Sequence, residues 1–409
     1  MTFKKLLKYI GFTVLTIIVG LVVVYLLKPK VIEDLAIKLL YPNVSVEKKY
    51  ANKYTIEIPE MYELMYIACS LTETFQNDPN LISNRVPEYL KEVQDHFLPF
   101  KEHELVKLLE QKLKGNAYSQ LQPTIRFFSL NYQLNEDNSI MEHEIFHVNG
   151  LLIRLFKNKL FYYPDYIKLI EDFAKSSDFK TFYEKNRPYY NKLIKKFDSL
   201  CDIQQSWDYL EKNFTESYNS YRIIFSPLTG GFHNTLPGLK DRDTGLQQTW
   251  LFVSAPPNIS IDTLSKNEIQ IKKGLFTREL FTEMVHNYVN PLSDDFLDKI
   301  DTSIEEYKFW NNRKSGYSNK LATFNEYMTW ATFSVFAKKN YDDLTFDTIM
   351  ESHEKFMVSK RGFIHFKAFN NHILYLSKES KFDNRFHFRK MYPDLLNWMQ
   401  NYNLTKINQ

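Results

Sequence analysis

From Tyr9 to Leu27 the chain carries no charged side chain, and a helix of that length is long enough to cross a hydrocarbon layer about 30 Å thick. Inside lipid every backbone polar group must be paired within the segment, so such a run has only a helix open to it. Lys4, Lys5 and Lys8 precede the run and Lys28 and Lys30 follow it, a bias that puts the short N-terminus in the cytoplasm. A cleaved signal peptide is the competing reading, but the run is long for one and VVVYLLKPK offers no small residues for a cleavage site. The expected layout is a cytoplasmic tail at 1–8, a single-pass transmembrane helix at 9–27 and a juxtamembrane stalk at 28–50. One extracytoplasmic domain of two lobes then fills 51–409.

Within the stalk, Val31 to Leu40 has helical spacing and stops at Tyr41 and Pro42. The 409 residues are enough to bury a large core. Basic and acidic residues, 52 and 49, are interspersed, so no basic block argues for nucleic acid. The 16% aromatic content would suit a carbohydrate platform, but Lys, Asn and Ile are abundant too, and a general compositional bias accounts for it more simply. Cys69 and Cys201 form no CxxC pair, which argues against a disulfide framework and a Cys-ligated zinc and leaves a single disulfide open.

Periodicity predicts a helix-rich α+β domain. Lys53–Ile58 alternates as a strand and Glu60–Thr74 as a helix, with further helix between Tyr89 and Lys114 ending at Gly115. Pro123–Tyr132 reads as another buried element. Tyr163–Phe197 reads as helices broken at Ser176, Ser177 and Pro188, their aromatic stripe facing the core, and Ser206–Phe214 continues helical. Tyr221–Leu228 and Gln248–Ser254 are strands, ended by Thr229-Gly230-Gly231 and by Pro256-Pro257. Leu275–Val289 is a helix that Pro291 ends, followed by helices at Ser303–Arg313 and Lys320–Lys338 and a mainly helical stretch from Phe346 to Leu404.

The Leu275–Val289 helix carries the chemistry. A zinc peptidase of the HExxH type places two imidazoles one helical turn apart, with a Glu beside the first as general base. Here Glu283 takes the base position and His286 the second-ligand position. Thr282 stands where the first ligand belongs, a neutral hydroxyl that binds zinc weakly. Glu279 lies two turns from His286, about 10.5 Å along the axis, too far to share an ion. His233 is the freer candidate for a replacement ligand.

A literal HExxH occurs elsewhere, at His143, Glu144 and His147, with Glu171 at a spacing that permits a third ligand. Its surroundings argue for surface residues on a strand or short helix, because Glu142 precedes it and Asn149-Gly150 closes it. His353-Glu354 has Met357 at the second-ligand position and is expected to be a plain solvated pair.

The runs IEIPEMYELMYIACSLT, YRIIFSPLTGG, TEMVHNYVNP and NEYMTWA, continued by KRGFIHF and RKMYPDLL, resemble an uncharacterised bacterial domain-of-unknown-function family similar to gluzincin zinc metallopeptidases. The resemblance covers essentially everything after residue 50. It implies a zincin-like (gluzincin) fold, with Asn290 and Pro291 at the helix terminus and Glu326, five residues before Ala331, as the third zinc ligand. It also leaves His143–His147 outside the active-site helix. The missing first imidazole makes the expected protein a membrane-anchored pseudopeptidase with Glu283, His286 and Glu326 as vestigial site residues. No cofactor is expected unless the site is functional, when it would be zinc. The expected partners are the membrane, through 9–27, and a peptide or protein ligand. An active zinc peptidase, using a rescued Glu283/His286/Glu326 site or the 143–147 string, is the alternative, and a purely structural envelope protein is a third reading.

Overall fold

A computed structural model describes residues 43–407, apart from 45, 47, 122–124, 127, 143–145, 148–163, 242, 260–262, 313–315 and 380–386. The expected membrane helix and the helical part of the stalk therefore lie outside the described residues. Among the described residues no helix is long and apolar enough to cross a membrane.

The chain is helix-rich α+β. Its main sheet has the order β1-β2-β4-β3, from β1 (Lys53–Glu57), β2 (Ser220–Ile224), β3 (Asn234–Lys240) and β4 (Gln247–Phe252). The first three in that order run parallel, with Ile56 beside Ile223 and Ile223 beside Leu251; β3 closes the row antiparallel, Thr235 facing Leu251. Tyr221, Ile223, Ile224 and Trp250–Phe252 are buried, as expected of parallel strands covered on both faces. Sequence reading missed β3 because Leu236-Pro237-Gly238-Leu239 looks like a turn. The register shifts between Leu236 and Leu239, and an edge strand can hold Pro at such a bulge because no ladder donor is needed there.

Around the sheet pack α1 (Glu60–Ser70), α2 (Pro87–Phe97), α3 (Glu104–Leu113), α4 (Pro164–Ser176), α5 (Phe179–Leu200) and α6 (Ile203–Asn213). The second half contains α7 (Lys266–Asp294), α8 (Leu297–Ser303), α9 (Lys320–Asn340), α10 (Asp343–Lys355), α11 (Phe366–Glu379) and α12 (His387–Ile407). Every residue of α1 from Met61 to Ser70 is buried; the chain then turns, and Thr72 caps a separate turn at Glu73–Gln76 through the Phe75 N–H. Cys69 and Cys201 are both buried free thiols.

Two prolines expected to break helices do not. Helix α5 runs through Pro188, because Phe182, Tyr183, Asn186, Tyr190, Leu193 and Phe197 form one buried stripe across it. Packing of that stripe outweighs the roughly 3 kcal/mol penalty of an interior proline. Helix α7 runs past Pro291, whose ring deprives the Asn287 carbonyl of its helical partner; the Tyr218 hydroxyl donates to that carbonyl instead, at 2.6 Å. This helix also starts well before Leu275. Ser265 and Glu268 form a capping box in which each side chain bonds the other residue's backbone N–H.

The expectation that His353 is solvated is also corrected. It shares a helical face with Phe346, Ile349 and Met350, is fully buried against Trp330, Phe333 and Phe366, and lies 3.1 Å through Nε2 from the Trp330 carbonyl. Burial holds its imidazole well below the ordinary range. Glu354 is partly exposed, 3.4 Å from Lys367.

Glu63 on α1 is a buried carboxyl whose Oε1 accepts the Tyr89 hydroxyl at 2.6 Å, with Tyr190 Oη 2.7 Å further on. Burial pushes it up to about 7, while the Tyr89 and Ser226 hydroxyls hold it down. With the folded value raised, the group's stabilisation is full below its ordinary value of 4.5 and is lost as pH rises through 7. The loss amounts to about 3 kcal/mol. Glu63→Gln keeps the acceptor without the charge, so urea melts should show the wild type losing stability between pH 5 and 8 and the variant holding it. Parallel pH curves for the two proteins would contradict this assignment.

Candidate functional site

Between Gly274 and Val289, α7 is buried except at Leu275, Glu279, Glu283 and His286. These positions recur at three- and four-residue intervals, so they form one stripe along an otherwise enclosed helix. The stripe lies between two flanking segments. The start of β3 and the preceding His233 form one wall, tied to α7 by the Asn287 Nδ2–H that donates to Thr235 Oγ1 at 2.8 Å. The opposite wall comes from α9 and the segment after α10.

On that second wall Glu326 is almost wholly buried. Its Oε1 takes the Arg361 guanidinium at 2.5 Å and the Trp330 indole N–H at 2.8 Å. Its Oε2 has no hydrogen-bond partner and lies 3.6 Å from His286 Nε2. Arg361 follows a one-turn π-helix at Phe356–Lys360 and precedes Gly362, whose φ of +78° a side chain would strain. Its Nη2 also donates to the Tyr317 hydroxyl at 2.8 Å, and its guanidinium stands 4.9 Å from the Trp330 ring. Thr329 Oγ1 lies 3.4 Å from His286 Nδ1.

Glu283 keeps a little contact with solvent but is surrounded by protein. Burial pushes its carboxyl up; His286, Arg361 and Arg126 oppose that rise and Glu326 adds to it. Arg126 lies wholly buried between Phe232 and Phe252, its Nη2 donating to the Phe232 carbonyl at 2.5 Å and its Nε and Nη1 without acceptors. At the head of the stripe, Arg85 grips Glu279 with two parallel bonds of 2.8 and 2.9 Å. Burial alone would raise Glu279, but Arg85, His233 and Arg278 bring its carboxyl below the ordinary value.

The structure thus brings His286 and Glu326 together beside Glu283 and keeps the other proposed ligands apart. Thr282 is 3% exposed and donates its hydroxyl to the Glu279 carbonyl at 3.2 Å. His233 lies 2.7 Å through Nε2 from Ser254 Oγ, which itself donates to the Gly230 carbonyl, so the histidine is the donor and is tied to its wall. Burial pushes it down to about 4, with Arg85, Arg126 and Arg361 acting in the same direction. Of the second motif, His143 and Glu144 lie outside the described residues. The backbone of Phe146–His147 is a short strand paired with Asn43–Val44, and Glu171 accepts the Ile140 N–H at 2.7 Å.

A catalytic zinc at this place would draw on the donors around His286. Two ligands on one tetrahedral zinc stand roughly 3.3 Å apart, close to the 3.6 Å between His286 Nε2 and the unpartnered Glu326 Oε2. The set stops there. A catalytic zinc takes three protein ligands, and among the described residues no three His, Cys, Asp or Glu side chains are grouped to hold a metal. Arg361 already supplies positive charge to Glu326, so the residues present do not fit the metal. Sequence reading missed Arg85, Arg126 and Arg361, which lie far along the chain from the motif. Trp330 was findable, since it stands one helical turn after Glu326.

No curated protein and no solved structure gives a match to this chain. The family model for DUF4932, a domain of unknown function, matches residues 54–397, and the chain belongs to that family.

Proposed function

We propose that this chain is a membrane-anchored, extracytoplasmic pseudopeptidase: a gluzincin-like relative that holds a peptide or protein segment along the α7 stripe without cutting it. One observation carries the reading. The stripe keeps a base-like carboxyl at Glu283 and an imidazole at His286, while Arg361 supplies the cation at Glu326 and Thr282 supplies no ligand. Without a metal to lower the pKa of water, Glu283 has no activated nucleophile to generate. Binding is favoured by β3, which lies at the edge of the main sheet and pairs in its ladder only with β4 among the described residues. Its backbone groups are a template on which an extended peptide adds as a further strand.

The test uses the full-length chain purified in mild detergent. The expected result is far less than one zinc per chain by elemental analysis and no chelator-sensitive peptide hydrolysis. Stoichiometric zinc, with hydrolysis lost in Glu283→Gln, would overturn the reading.

A second reading keeps zinc chemistry at the other motif, because Glu171 is bonded to the strand that leads into His143, Glu144 and His147. Under it, Glu144→Gln abolishes a chelator-sensitive hydrolysis that Glu283→Gln leaves intact.

A further inference from the structure

Among the described residues, two arginines near the stripe, Arg126 and Arg278, have no carboxylate within hydrogen-bond distance. Glu279 is held by Arg85 and Glu326 by Arg361, while Arg126 gives its Nη2 to the Phe232 carbonyl. Arg278, next to Glu279 on α7, is the one of these two whose guanidinium bonds no acceptor at all among the described residues. It is 9% exposed, and its Nε and Nη1 are buried without an acceptor. Its guanidinium is pinned between two rings, 5.7 Å from Trp330 and 5.3 Å from Phe356.

Stacking on aromatic faces stabilises a cation but fills none of its N–H groups. A guanidinium fixed by two rings has already lost its rotamer freedom, so an incoming anion does not have to order it. The carboxylate is the partner whose geometry matches that planar fork, taking two parallel N–H bonds. Trp330 ties this position to the site, since the same indole contacts Arg361 and donates to Glu326.

We propose that Arg278, buried next to the α7 stripe and linked to it through Trp330, sets specificity by receiving a carboxylate of the bound peptide, either its C-terminus or an Asp or Glu side chain. This rests on the peptide-binding reading above. The Trp330 and Phe356 rings hold the guanidinium in place, and the ligand's carboxylate supplies the acceptor that Arg278 lacks.

Calorimetric titration of the full-length chain in detergent tests it, with three N-acetylated octapeptides of alternating Val and Thr. One ends in a free carboxylate, one is C-terminally amidated, and one is amidated with a Glu replacing one Thr. At low salt the free-acid or the Glu peptide should bind at least tenfold more tightly than the neutral amide, and which of them does so identifies the source of the carboxylate. In Arg278→Gln that advantage should vanish while the neutral peptide binds as before. Should Gln loosen the packing between the rings, Arg278→Met fills the same slot without charge and serves the same comparison, with thermal melting as the folding control. Equal binding of all three peptides to the wild type overturns the carboxylate inference and leaves the peptide-binding reading standing. An advantage that survives in both variants moves the carboxylate off Arg278 and overturns it as well. Binding of none of the peptides removes both readings together.

Discussion

Thr282→His combined with Arg361→Gln is expected to bind zinc at least tenfold more tightly than Thr282→His alone, and the wild type is expected to bind weakly. The first substitution puts an imidazole one turn before His286 on α7, completing a pair of ligands on one face. The second removes the guanidinium held at 2.5 Å from Glu326 Oε1. A unit positive charge about 5 Å from a divalent ion opposes it by several kcal/mol at an effective dielectric near 20. Glu326 Oε2 already stands free and 3.6 Å from His286 Nε2, so it needs little movement to become a ligand.

The same argument gives this variant a signature in stability. Without metal, Glu326 becomes a buried carboxylate stripped of its cation, which costs about 3 kcal/mol or more. Added zinc should restore the lost thermal stability, because a ligand bound only by the folded state raises its melting temperature. A double variant that folds, melts like the wild type and takes up no zinc would show that His286 and Glu326 are not arranged as ligands at all.

Gly230→Ala is expected to destabilise the fold by about 3 kcal/mol or more, at the upper end of what overpacking costs. A Cβ there would stand 2.5 Å from the Asn80 carbonyl carbon, 2.6 Å from its oxygen and 2.7 Å from the Pro79 oxygen. All three are backbone atoms, so no side chain can swing aside. The contact is close because Gly230 N–H donates to the Leu81 carbonyl and Phe232 N–H to the Asn80 carbonyl, locking the 229–232 turn onto the 78–82 loop. Pushing them apart loosens Arg85 from Glu279 and the His233 wall together. Gly231→Ala is the control: its Cβ would meet only the Asn80 Oδ1, at 3.3 Å, and a side-chain atom can move. Thermal melts should separate the two variants clearly, and equal melting temperatures would refute the clash.

The α7 stripe was legible from sequence because it is local. Glu283 and His286, three residues apart, fall on one face by the 3.6-residue period alone. The helix ends were partly misread. The Ser265–Glu268 capping box was present as residues, but Pro291 looked like a stop because its compensating donor, the Tyr218 hydroxyl, lies far away in the chain. The edge strand β3 was lost for a similar reason: Pro237-Gly238 is turn chemistry in isolation and a tolerated bulge only beside β4. The buried imidazole of His353 was mistaken for a solvated one although its neighbours Ile349 and Met350 share its face.

The sequence by itself determined the family, the helix-rich α+β character and the placing of Thr282, Glu283 and His286 on one helix, since composition, periodicity and motif spacing are properties of neighbouring residues. Tertiary structure alone decided which cation meets which carboxylate. Arg85 and Arg361 reach Glu279 and Glu326 from separate stretches of chain, and Arg278, beside Glu279 in sequence, is left without an acceptor. Ion pairing acts through space over a few ångströms, and no period along the chain encodes a distance that only folding closes.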